Sequence, residues 1–321
     1  MAAVLVIESH ATQLTGVGIS YTKLFTHSVS LGNLCVDVFF MVSGYLILSS
    51  YLRLSNLKQY LISRILRIYP ALIVAVFISA LIIVPFFTST SLTNYYSYPT
   101  TWRYLLNAIM PFHEMVNGIN GFNTGTNNIY ASMVNGALWT IGWEIKCYLL
   151  IIILAMSKLL RYKFIILAIS MSLIIKYNFD GDADACRFYG FFMLGMCFYL
   201  FREQIIFNHK LTLAISMISL ITASYFNTCF LIVWALAGSY LLFSFAFNNT
   251  IKLNNFGKFG DFSYGIYLYG FIIQQILIIF NHSKMDNVVN FVVALPIAIL
   301  CGILSYKFIE KPCMNLKRKL I

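Results

Sequence analysis

Residues 137–157, ALWTIGWEIKCYLLIIILAMS, decide the fold. The stretch is an apolar run whose charged side chains are Glu144 and Lys146. About 20 such residues wound as a helix cross the ~30 Å hydrocarbon core of a bilayer. Working outward, comparable runs fall at about 1–19, 34–50, 69–87, 164–177, 187–201, 211–226, 228–247, 262–280 and 288–309, some of them short. In lipid every backbone amide must be bonded within its own segment, and the ten-residue alternation of a barrel is absent, so helices fill the runs. The expectation is an all-α polytopic membrane protein of about ten transmembrane helices, a single membrane-embedded domain over 1–321.

Composition agrees. The 321 residues are 60% hydrophobic and 10% charged, with mean hydropathy +0.80. A soluble protein carries about 25% charged residues, so a cytosolic or secreted globular fold is excluded. The net charge of +11 needs no nucleic acid to explain it, because membrane proteins concentrate Lys and Arg in cytoplasmic loops. Fifteen fall in alternate loops: Arg53, Lys58, Arg64 and Arg67; Lys158, Arg161 and Lys163; Arg202 and Lys210; Lys252 and Lys258; Lys311, Lys317, Arg318 and Lys319. The opposite loops hold Lys23, Arg103, Arg187 and Lys284. Both termini are therefore expected in the cytoplasm, with the loop bearing Asp180, Asp182 and Asp184 outside. The seven cysteines lie singly, without a CxxC pair, and read as small core residues. Met1 opens directly inside an apolar helix, without a basic lead-in, so the first span reads as truncated. No signal peptide, repeat or appended soluble domain is visible.

The long outer segment 88–136 is rich in Asn, Ser, Thr, Tyr and Gly and carries Tyr95, Tyr96, Tyr98 and Trp102. Two readings stand: an interfacial aromatic belt with a re-entrant helix around 102–112, or a sugar-binding lid, since aromatic faces and amides suit carbohydrate and long loops carry function.

Ionisable groups inside spans are costly and are functional hypotheses by default. His10 sits in the outward half of the first span, where an imidazole moves protons near neutral pH or simply bonds a neighbouring helix. Glu8 lies about 200° round the helix from it. Glu144, with Thr140 one turn before it, orients or deprotonates a hydroxyl, or pairs with a cation such as Lys146. Asp37 precedes FFMVSGYLI, whose Ser43 and Gly44 read as a small-residue helix contact. Arg64 and Arg67, three apart before Pro70, can grip phosphates of lipid headgroups or of a nucleotide-like donor.

Taken in order, the motifs resemble the acyltransferase 3 family of multi-spanning membrane acyltransferases over nearly the whole chain. The helix ending IESH looks like the family's first span, with His10 in the place of its histidine. LCVDVFFMVSGYLI resembles GVDxFFxxSGF at Val36, Asp37, Phe39, Phe40, Ser43 and Gly44, and SRILRIYPA resembles RRxxRIxP at Arg64, Arg67 and Pro70. LWTIGWEIKCYLL is similar to LWSLxxExxFYLL at Trp139, Glu144 and Tyr148. FYGFFMLG, FSYGIYLYGF (Ser263, Tyr264, Tyr267) and SYKFIEKP follow in the family's order. Two departures stand out. The basic residue that usually lies eleven positions before the first-span histidine would fall ahead of Met1, and where many members read YLWH this chain has Tyr267, Leu268, Tyr269 and Gly270.

The resemblance implies an O-acyltransferase of a bacterial inner membrane. It would pass an acyl, foremost acetyl, group from cytoplasmic acetyl-CoA to a glycan hydroxyl, whether of capsule, O-antigen, exopolysaccharide or peptidoglycan. No metal or tightly bound cofactor is implied, and no nucleic acid; acetyl-CoA, the glycan and membrane lipids are the partners. In that scheme Arg64 and Arg67 hold the donor's phosphates, His10 takes the hydroxyl proton or carries the acyl group, and Glu144 orients it or the acceptor. Asp37, Trp139, Tyr148, Ser263, Tyr264 and Tyr267 support substrate or structure. A flippase for a lipid-linked glycan fits composition equally well, but lacks the inverted repeat of many transporters and does not predict the motif order. The missing leading basic residue keeps a third reading open, a non-catalytic partner of an envelope-assembly complex.

Overall fold

The computed structural model describes residues 2–16, 29–54, 56–109, 119, 121–126, 130–181, 184–207, 209–226, 229–248, 260–282 and 284–320, without side chains for 226 and 317–320. Lys23, Asp182, Lys252 and Lys258 of the charge count lie outside the described residues, as do 110–118 of the outer segment.

Among the described residues the regular structure is all helical, beside turns and one isolated bridge, Thr88 to Phe122. Twelve helices carry the argument: α1 Ala2–Thr15, α2 Leu31–Arg53, α3 Leu57–Ile78, α4 Leu92–Ser97, α5 Pro99–Leu105, α6 Trp139–Met156, α7 Lys163–Asp180, α8 Asp184–Leu200, α9 Lys210–Phe226, α10 Ser239–Ala246, α11 Ser263–Phe280 and α12 Asn287–Ser305. Local chemistry sets several ends. Ser30, Asn56 and Asp286 accept the first free amides of α2, α3 and α12, and Gly181, at φ 72°, closes α7 in the left-handed conformation. Three π turns interrupt the pattern, Ser79–Ile83 after α3, Trp234–Gly238 before α10 and Tyr306–Glu310 after α12.

Among the described residues five helical stretches are long and apolar enough to cross a membrane: Leu31–Arg53, Leu57–Phe87, Gly136–Met156, Ser263–Phe280 and Asn287–Leu316. The expectation of about ten spans is met by five on length and composition, because α1 has 14 residues, α8 has 17, and α7 carries Lys163, Lys176 and Asp180. The chain is nevertheless a multi-pass membrane protein. Large apolar side chains such as Ile73, Phe86, Ile153, Ile218 and Leu300 stand exposed on the outside of the bundle, where lipid rather than water must solvate them.

The core is a close crossing of α2 on α8, flanked by the α11–α12 pair, with α1 wedged among α2, α11 and α12. The small-residue reading of Gly44 holds. A Cβ on Gly44 would lie 2.0 Å from the Phe192 carbonyl oxygen, and one on Gly195 would lie 1.9 Å from that of Met41. Gly195→Ala is therefore expected to force the two helices apart and cost about 1–3 kcal/mol, read as a lowered unfolding midpoint in detergent; an unchanged midpoint would show that the crossing tolerates a methyl group.

Of the cysteines, Cys35, Cys147 and Cys197 are buried as expected, whereas Cys229 is exposed. The outer segment also differs from its expectation. Around the expected re-entrant helix, the described residues show an α-helix ending at Leu105 and a short 3-10 turn over Leu106–Ala108, and 110–112 lie outside the described residues. Tyr95 and Tyr96 donate to the carbonyls of Ala80 and Leu81 at 2.6 and 3.2 Å, carbonyls inside the π turn after α3. Burial pushes the Tyr95 hydroxyl up to about 12, so it remains a donor throughout the neutral range. Two of the four aromatics thus tie the outer segment to the π turn after α3, while Trp102 stays half exposed and donates to the Tyr96 carbonyl.

Candidate active site

A cavity of about 310 Å³ opens between α2, α3, α6 and α11. Seven of the ten singled-out residues converge on it or its rim: Arg64, Arg67, Glu144, Tyr148, Ser263, Tyr264 and Tyr267. Helical spacing explains much of this. Arg64 and Arg67 share a face of α3, Thr140, Glu144 and Tyr148 share a face of α6, and Ser263, Tyr264 and Tyr267 occupy the first turns of α11. Apolar side chains of α2, among them Phe39, Phe40 and Leu46, complete the walls beside Ser43.

The two arginines have different partners. Arg67 is held by two carboxylates, Asp261 at 2.5 Å and Glu310 at 3.0 Å. Glu310 is wholly buried and accepts from Ser305 at 3.0 Å. The Asp261 side chain is 60% exposed and also accepts from the amide and hydroxyl of Ser263. Arg64 instead donates to Ser63 and Ser50 at 3.1 and 3.4 Å and lies over the rings of Tyr60 and Tyr148. Among the described residues no carboxylate lies within ion-pair distance of Arg64. The expectation of an equivalent pair thus separates into one clamped guanidinium and one with only neutral partners.

Glu144 accepts a hydrogen bond from the Tyr148 hydroxyl one turn later. It is not paired with Lys146, whose ammonium lies 3.8 Å from the centre of the Trp143 ring. Tyr148 is fixed in turn, its carbonyl accepting from the Tyr60 hydroxyl at 3.0 Å. Further along α11, Tyr267 shares a 2.6 Å hydrogen bond with Thr140 and meets the Phe39 ring edge to face. Tyr264 donates to the Ile68 carbonyl at 3.0 Å. A carboxylate and three tyrosine hydroxyls thus line a partly enclosed space with a guanidinium at hand, a set able to orient, protonate or deprotonate a polar substrate.

Three predicted residues lie elsewhere. His10 does not line the cavity. It packs edge to face on Phe271, 5.2 Å between centroids, and Phe271 is four residues beyond Tyr267 on α11, about 6 Å along the axis. The residues further along α1 and α11 lead to the opposite end of the bundle, where Asn287 donates to Thr12 at 3.2 Å. Asp37 is wholly buried in a two-hydrogen-bond pair with Arg187, at 2.7 and 2.8 Å. Trp139 meets Phe188 edge to face beside that pair. Both therefore support the structure behind the cavity.

Sequence alone does not single out Arg187, Asp261 and Glu310. Arg187, which the sequence places among the loop cations, lies in the first turn of α8, 4% exposed; its signal is an Arg directly preceding an apolar run, matched to an Asp directly preceding another. Asp261 and Glu310 sat beside or inside two of the quoted motifs, FSYGIYLYGF and SYKFIEKP.

The family model described as "Acyltransferase domain" matches residues 1–307, and the chain belongs to this acyltransferase 3 family. It is similar to an O-acetyl transferase of Shigella phage Sf6, 24% identical over 331 residues covering 97% of this chain and 92% of the relative. It is also similar to Nodulation protein 10 of Rhizobium leguminosarum bv. viciae, 25% identical over 364 residues covering 100% of this chain and 92% of the relative. No solved structure matches the chain. Membership of the family makes the chain an acyltransferase, and the name of the phage relative agrees with transfer to oxygen.

Proposed function

We propose that the protein transfers an acetyl group from cytoplasmic acetyl-CoA to a hydroxyl of an exported or cell-surface polysaccharide, in the inner membrane of a bacterium, with about ten membrane passages and both termini in the cytoplasm. The observation that carries the reading is the order of groups along α11: the guanidiniums beside Ser263 and Tyr264, then Tyr267, then His10 against Phe271. Donor phosphates suit Arg64 and Arg67 at one end, and an extended thioester arm suits the cavity between. His10, a turn further, is the general base. It takes the proton of the acceptor hydroxyl as that oxygen attacks the thioester carbonyl; the carbon–sulfur bond breaks, and the leaving thiolate recovers the proton as free coenzyme A. Glu144, bonded to Tyr148, orients the reacting groups from the cavity wall.

The test is the O-acetyl content of surface glycans in cells lacking the gene, complemented at matched expression with the wild-type chain, His10→Ala or Glu144→Gln. Wild type is expected to restore acetylation, and His10→Ala to lose about 10²–10⁴-fold of it, the usual size of an acid–base contribution. Glycan export that depends on the gene, with acetylation that never does, would replace this reading by a flippase.

A further inference from the structure

The charge balance around the cavity is unfavourable for an anionic donor. Arg64 and Arg67 face Glu144, Asp261 and Glu310, two formal positive charges against three negative. A phosphate approaching this array meets a guanidinium already shared by two carboxylates. The two are not equivalent. Glu310 is wholly buried, bonded to Ser305 and set by a π turn, so it cannot leave without a large desolvated rearrangement. Asp261 precedes α11, lines the rim and is 60% exposed, so its release into water costs little.

We infer that Asp261 is a stand-in for the donor's phosphate: it occupies the outer side of the Arg67 guanidinium and is displaced when a phosphate group takes its place. The inference rests on the reading of the cavity as a coenzyme A site. Its physical basis is that a phosphate monoester carries more charge and more acceptor oxygens than a carboxylate and bonds a guanidinium bidentately. Glu310 remains behind Arg67 and keeps the guanidinium aimed at the cavity during the exchange. With Asp261 withdrawn, the array is neutral rather than negative, and Arg64, without a carboxylate partner among the described residues, adds the second contact. Asp261 is on this account a positioning and specificity residue: it shields the cation from the many small anions that bind more weakly than a phosphate ester.

The experiment measures binding of coenzyme A, and of pantetheine, which lacks its phosphates, to the full chain in phosphatidylcholine nanodiscs. Asp261→Asn keeps an oxygen for the Ser263 amide and removes the charge; Asp261→Ser serves as a second variant should the first fold poorly. Both are expected to bind coenzyme A about tenfold more tightly than wild type, the size of one screened contact between charges, and pantetheine unchanged. Equal or weaker coenzyme A binding by the variants, with binding by wild type intact, overturns the inference and leaves the donor site standing. Tightening of both ligands alike also overturns it, since that reports a reshaped cavity. Absence of coenzyme A binding in every protein defeats the donor reading and the inference together. A gain that disappears in phosphatidylglycerol nanodiscs assigns the exchange to lipid headgroups and overturns the donor assignment.

Discussion

Arg187→Ala is expected to lower the stability of the folded chain by about 3–5 kcal/mol, the cost of leaving one member of a buried ion pair alone. The Asp37 carboxylate that remains is wholly buried, and neither lipid nor the neighbouring rings of α8 can solvate it. The double replacement Asp37→Leu with Arg187→Met is expected to recover most of the loss, because a buried pair exchanged for apolar groups of similar size is often neutral or stabilising. Denaturant titration of the purified protein reads both values. A single variant that costs under about 1 kcal/mol, the range of an exposed ion pair, would mean that the pair is hydrated, and a double variant as unstable as the single would mean that the site needs its charges for another reason. The same pair accounts for why Asp37, although it opens one of the motifs of the family, does not reach the cavity lined by its neighbours Phe39, Phe40 and Ser43.

The two arginines of α3 should separate under mutation. Arg67→Ala strands the buried Glu310 and is expected to destabilise the chain by about 2–3 kcal/mol, reduced from the fully buried case because Arg67 is 24% exposed. Arg64→Ala strands no carboxylate and is expected to cost under about 1 kcal/mol of stability, since its hydrogen bonds go to two serine hydroxyls. Its effect should appear instead in the KM for the acyl donor, raised about 10–100-fold by the loss of a charge-assisted contact. Melting curves and donor titrations on the same preparations decide the matter: equal stability losses at the two positions would remove the distinction between clamp and grip.

Much of this architecture is readable from the residues. The run 137–157 declares itself because two charges in 21 residues leave little else for it to be, and the spacing of Thr140, Glu144 and Tyr148 already puts them on one helical face. Arg64 and Arg67 are likewise adjacent by helical geometry alone. What sequence leaves open is whatever depends on contacts between helices. Asp37 and Arg187 are 150 positions apart and Arg67 and Glu310 are 243 apart, so their pairing is a property of how α2, α3, α8 and α12 pack. The position of His10 has the same origin: its proximity to Phe271 rather than to the cavity lining follows from how α1 lies against α11. The number of membrane passages stays less legible, because α1 and α8 fall below the usual length of a span and gain their apolar neighbours only in the bundle.

The π turn Tyr306–Glu310 has a consequence for the chain beyond it. A π turn amounts to one residue more than the α-helical ladder requires, so it shifts the angular phase of everything that follows by roughly one residue's rotation, about 100°. The helix over Lys311–Leu320 therefore chooses its outward side independently of the apolar helix Asn287–Ser305 before it. A cationic tail and a lipid-facing rod can each be tuned by evolution without dragging the other round, while the residue at their junction, Glu310, keeps its bearing on Arg67.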